Sequence, residues 1–148
     1  MKVVLSVLLI LVSINITHAK EGFSAGVGFE YGGLIGAKYS IRDQDNHYFG
    51  SLGLLGAAIG YQKIMDTNEK HLFGIVAGAE EFTSEDGFIG LNYNYHANGF
   101  NSEGWTVGFV AGVRRTDGDP LEIGGIFGAD EPETETKALV GVSFGYSF

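Results

Sequence analysis

The run Ala138-Leu139-Val140-Gly141-Val142-Ser143-Phe144-Gly145-Tyr146-Ser147-Phe148 decides the fold class. Its even positions are apolar or aromatic: Ala138, Val140, Val142, Phe144, Tyr146 and Phe148. Its odd positions are Leu139, Gly141, Ser143, Gly145 and Ser147. Successive side chains of a strand point to opposite faces, so this run has one apolar face and one face of mostly small residues.

The same period runs back through the chain. Phe23, Ala25, Val27, Phe29 and Tyr31 oppose Ser24, Gly26, Gly28 and Glu30. After the tight-turn signal Gly32-Gly33, Ile35, Ala37, Tyr39 and Ile41 oppose Gly36, Lys38 and Ser40. Three more segments alternate in this way: 73–80, 89–96 and 105–114. A weaker one spans 121–128. Polar turns separate them at 43–46, 65–70, 83–86, 98–103 and 117–120. Residues 47–63 contain no internal turn cluster although the alternation drifts near Gly53 to Leu55. They are expected to form one long strand with a bulge, with a very tight hairpin as the alternative. The expectation is an all-β chain: an antiparallel up-and-down β-barrel of about eight strands.

Which face is wet follows from composition. The apolar rows carry no charge, and the opposite rows are rich in glycine. All 24 glycines lie beyond residue 19. Repeated glycine weakens a water-facing strand but suits the narrow interior of a small barrel. The apolar rows are therefore expected to face lipid, making the barrel transmembrane. With strand one rising and directions alternating, the aromatics are expected in two girdles. One holds Phe23, Tyr39, Phe49, Phe144, Tyr146 and Phe148. The other holds Tyr31, Tyr61, Phe73, Tyr95, Trp105 and Phe127.

Residues 1–19 have the layout of a secretory signal peptide: Lys2, an apolar run from Val3 to Ile16, and a cut after Ala19. Residues 20–148 are then the barrel domain. They carry 8 basic and 18 acidic side chains, net −10, which offers no basic patch for nucleic acid. There is no cysteine.

The run from Ala138 to Phe148 also resembles the C-terminal strand that bacterial outer-membrane proteins present to the barrel assembly machinery. Phe144, Tyr146 and Phe148 match this assembly signal. Ser143 stands where that family usually has glycine. In architecture the whole segment 20–148 looks like the small eight-stranded OmpA/OmpX-type barrels. The resemblance implies a porin-like fold in the Gram-negative outer membrane, with outer-membrane lipid and lipopolysaccharide as surroundings.

The inward rows hold Glu30, Lys38, Glu80, Arg114 and Glu122. Charges in a narrow lumen are expected to pair, as a network that plugs and stiffens the barrel. Lys38 is expected to reach Glu30, and Arg114 to face Glu122 across the 117–120 turn. For lipid A chemistry the nearest constellation is His96 with Ser102 and Glu103, expected at the outer rim. The acidic run Asp130, Glu131, Glu133 and Glu135 reads as a solvated loop. No catalytic, cofactor or metal motif is present. The function expected from sequence is that of a non-catalytic structural or interaction protein of the outer membrane with a sealed lumen. The alternatives are a lipid A-modifying enzyme and a minor small-solute channel.

Overall fold

A computed structural model describes residues 20–81, 84–116 and 135–148. Eight strands follow in order: β1 Lys20–Gly28, β2 Gly33–Asp43, β3 Asn46–Gly53, β4 Gly56–Ile64, β5 His71–Glu80, β6 Ser84–His96, β7 Gly104–Thr116 and β8 Glu135–Ser147. Each pairs antiparallel with the next, and β1 pairs with β8, so the sheet closes into a barrel. Closure removes every free strand edge. The expected signal peptide, residues 1–19, lies outside the described residues, as does the weak strand expected at 121–128.

The eight strands are not the eight expected. Residues 47–63 form β3 and β4, joined by a turn of two residues, Leu54 and Leu55. This turn lacks the usual polar residues because neighbouring segments satisfy its backbone. Leu54 N–H donates to Ile35 O at 2.9 Å, and Glu81 N–H donates to Leu55 O at 2.8 Å. The hairpin, the alternative to one long bulged strand, reverses the direction expected for the next three strands. The expected order is regained only at β8, which pairs directly with β7.

A second correction concerns the first strand. It stops at Gly28, whose φ of 104° suits glycine, and a single 3₁₀ turn, Phe29–Tyr31, folds into the lumen. Gly32, at φ 71°, turns the chain back into β2, and a Cβ there would strike the carbonyl oxygen of Gly56. Tyr31 is therefore an interior residue, 1% exposed, not a girdle aromatic. Several inward glycines form the socket for this turn. A Cβ on Gly145 or Gly26 would meet the Tyr31 ring, and one on Gly141 would meet Phe29.

With the true strand directions, the exposed aromatics form one belt. It lies at the end of the barrel where Phe148 and the start of β1 meet, called here the termini end. Neighbouring pairs carry it round the wall: Phe23 with Tyr39, Tyr48 with Tyr61, Phe73 with Tyr93, Trp105 with Tyr146. Phe23 and Phe148 close it across the β1–β8 seam, their rings 6.0 Å apart. At the opposite end, called the turn end, the large exposed apolar side chains are aliphatic, among them Val27, Leu34, Ile35, Leu52, Leu54, Ile89 and Val113. Charged residues of the outward rows lie near the rims: Glu21, Asp43 and Lys63 at the termini end, Arg115 at the turn end. Between them no outward charge occurs among the described residues. Phe49, placed in a girdle from sequence, is instead buried.

The interior divides in the same direction. The turn-end half holds an apolar cluster of Phe49, Ala58, Val76, Phe88, Val110 and Leu139, against which Phe29 packs. The termini-end half is largely polar, with Ser24, Ser40, His47, Gln62, His96 and Thr106 all buried.

Candidate functional site: the lumen

Glu30 is the centre of the lumen. The 3₁₀ turn carries it off the wall to the barrel axis, where it is fully buried. Its carboxylate accepts hydrogen bonds from Asn92 Nδ2 at 2.6 Å and Asn94 Nδ2 at 2.7 Å. Lys38 Nζ lies 3.4 Å from its second oxygen. The ammonium also lies over two aromatic faces, 4.6 Å from the Tyr31 ring centroid and 5.0 Å from that of Phe49. Four strand or turn segments thus converge on one neutral knot. Burying two charges is costly, and the ion pair, the two amide donors and the two aromatic faces offset that cost here. The expected Lys38–Glu30 pair is present. Asn92 and Asn94 lie on the inward row of β6. Their part depends on Glu30 leaving the wall, which the alternation does not reveal.

Glu80 and Arg114 sit on inward rows at the turn end, beyond the apolar cluster and away from this knot. Glu122 lies outside the described residues. Phe144 and Phe148 are exposed on the outer face and Tyr146 is half-buried there, stacked edge-on to Trp105 at 5.2 Å.

On the termini side of the knot lies a cavity of about 220 Å³. Its walls include Ser24, Lys38, Ser40, His47, His96 and Ser147. Its roof is the β6–β7 loop, residues 97–103. Phe100 of that loop dips between the two imidazoles, its ring centroid 4.4 Å from that of His47 and 5.4 Å from that of His96. The roof is tethered to the β4–β5 loop. Phe100 N–H donates to Glu69 O at 2.8 Å, and Asn101 Nδ2 donates to the Glu69 carboxylate, which also pairs with Arg42 Nη2 at 2.7 Å.

His96 is buried at the termini end, the opposite end of the barrel from that expected, because the β3–β4 turn reverses β6. It shares the cavity with Ser102. Its Nδ1, however, is engaged by Thr106 Oγ1 at 3.2 Å, and Glu103 accepts through its backbone oxygen from Asn98. The three residues do not form a relay of nucleophile, base and orienting acid. Among the described residues no three His, Asp or Glu side chains gather as a metal site. No family model, curated protein or solved structure matches this chain.

Proposed function

We propose that the protein is a small outer-membrane β-barrel of a Gram-negative cell, exported by its first 19 residues, with a sealed lumen and a structural or interaction role. One observation carries the reading: the polarity of the barrel is inverted. Its outward rows are apolar and uncharged between the rims, while Glu30, Lys38, His47, Gln62, Asn92 and Asn94 are buried inside. In water this arrangement exposes large apolar side chains and desolvates polar ones, the reverse of the usual distribution. In lipid it is the stable one, because the closed sheet satisfies its own backbone and apolar rows meet acyl chains. Strands of 8 to 13 residues agree with the ~9–11 residues a tilted strand needs to span a bilayer. Among the described residues no helix is long and apolar enough to cross a membrane.

Lipid and lipopolysaccharide are the partners of the outer wall in this reading, and the barrel assembly machinery reads the alternating aromatics Phe144, Tyr146 and Phe148. The knot at Glu30 and the apolar cluster beyond it fill the bore, which argues against a wide channel. Planar-bilayer conductance tests the seal: the wild-type chain is expected to show no steps of porin size, and such steps would refute the sealed reading. Incubation with lipid A followed by mass spectrometry is expected to leave the lipid unchanged; a deacylated or acylated product would make the protein an enzyme.

A further inference from the structure

We infer that the low side of the turn end, formed by β2, β3 and β4, is a docking surface for lipid: the acyl chains of the membrane close over the Leu54-Leu55 tip, so that this hairpin ends inside the hydrocarbon and not at its surface. The inference rests on the lipid-facing reading of the wall and adds where that wall stops.

The barrel is not equally tall all round. β3 and β4 have 8 and 9 residues, whereas β6, β7 and β8 have 13 each. All of them cross the one aromatic belt. On the low side, six residues lead from Tyr48 in the belt to the tip at Leu54. On the tall side, ten lead from Trp105 to the first outward charge of β7, Arg115. At ~3.3 Å per residue and a tilt of ~45°, the tip stands about 14 Å above the belt and Arg115 about 23 Å. The apolar band of a membrane barrel is about 25 Å tall. The tall side fills that band, and the low side stops a little over halfway up.

The low rim suits that depth. Residues 31–37 and 46–62 contain no Asp, Glu, Lys or Arg. Leu54 is 72% exposed, the most of the described large apolar side chains, and Leu52, Leu34 and Ile35 beside it are also open. A two-residue hairpin turn in water usually carries Asn, Asp or Gly. Here it is Leu-Leu, and protein, not water, holds its backbone. Leu54 N–H donates to Ile35 O at 2.9 Å, Leu55 N–H to Gly32 O at 3.4 Å, and Leu55 O accepts from Glu81 N–H at 2.8 Å. Irregular backbone is kept out of hydrocarbon by polar groups left unpaired, and these three are paired. The neighbouring charges stand higher. Glu81 lies one residue past the last β4–β5 pair, Gly56 with Glu80, and Arg114, Arg115 and Lys137 belong to the tall side. A water-soluble partner would have to reach below these charges to cover the tip, whereas acyl chains already occupy that level.

The test places a single tryptophan at chosen levels in a Trp105→Phe background, with the protein refolded into phosphatidylcholine vesicles brominated at defined acyl depths. Leu54→Trp is compared with Val140→Trp. Val140 lies six residues from its own belt aromatic, Tyr146, and so marks the level of the tip on the tall side. The expected result is that the same deep bromines quench both tryptophans most. If position 140 is quenched deep while position 54 is quenched only by shallow bromines, or not at all, the inference is overturned and the lipid-facing wall stands. The tip then lies at the interface, in water, or under another protein such as a second copy. If neither position is quenched at any depth, the lipid-facing reading fails and the inference falls with it. Leu34→Trp, on β2 beside the tip, reads the same level should Leu54→Trp not refold.

Discussion

The two ends of this barrel solve the same problem differently. At the turn end the wall is aliphatic outside and the bore is filled by an apolar cluster, so stability there comes from packing. At the termini end the wall carries an aromatic belt, the bore is polar, and two loops are clipped to each other and to the end of β2 by Glu69, Asn101 and Arg42. Between the halves the 3₁₀ turn inserts one carboxylate that holds three partners, Lys38, Asn92 and Asn94. A small barrel interior is thus a packed core in one half and a hydrogen-bonded network in the other. The second kind is sensitive to the loss of any single member.

The largest expected effect is at the boundary. Glu30→Ala removes the one acceptor shared by Lys38, Asn92 and Asn94 and leaves an ammonium buried without its counter-charge; a loss of about 3–5 kcal/mol is expected, read as a lowered urea midpoint in detergent. The double variant Glu30→Leu with Lys38→Met is expected to recover much of that loss, since apolar side chains of similar size replace the pair. If the double variant is as unstable as the single one, the knot's role is something other than charge compensation.

A smaller effect tests the glycine socket. Gly36→Val would drive a side chain into the backbone carbonyl of Tyr31, and about 1–3 kcal/mol of destabilisation is expected from such overpacking. Gly50 on the outer face has open space around its Cβ position, so Gly50→Ala is expected to be neutral or slightly stabilising. Equal losses at the two glycines would mean that the inward row is not a socket.

At the termini end, Arg42 and Glu69 are 15% and 29% exposed, so Arg42→Ala is expected to cost at most about 1 kcal/mol. Its signature is local: faster amide exchange across 97–103, with the barrel strands unchanged. The smallest effect concerns pH. Asp66, in the β4–β5 loop, accepts from the backbone N–H of His71 and of Lys70, and these bonds hold its carboxyl below the ordinary 3.8. A depressed value means that the charged form stabilises the loop. That contribution is complete above the unfolded value and is lost as pH falls through the folded one. The His71 and Lys70 amide resonances are expected to titrate together below pH 3.8, and Asp66→Asn is expected to remove that titration.

Much of the wall was legible from sequence because alternation is a one-dimensional signal. It placed Lys38, Glu80 and Arg114 on inward rows and Phe144 and Phe148 on the outer one, and it named the Lys38–Glu30 pair. It failed where the chain leaves the wall or satisfies its backbone at a distance. Phe29, Glu30 and Tyr31 keep the alternating pattern yet fold inward, because Gly28 and Gly32 adopt positive φ. Leu54 and Leu55 turn without turn residues because Ile35 and Glu81 complete their hydrogen bonds. That single hidden turn moved Tyr61, Phe73, Tyr95 and Trp105 from one end to the other and split one belt into two expected girdles. Phe100 was unreadable for a related reason: it belongs to a polar loop, and its partners His47 and His96 come from strands far apart in sequence.

The direct test of the central claim, that the inverted wall faces lipid with its aromatic belt at one interface, uses the chain's single tryptophan. The protein is refolded into vesicles whose lipids carry bromine at defined acyl depths, and Trp105 fluorescence is compared with that of a Trp105→Phe, Val140→Trp variant. The account predicts quenching of both, with Trp105 quenched most by shallow bromines and the tryptophan at position 140 by deeper ones. Fluorescence of both that is indifferent to bromine at every depth would contradict it.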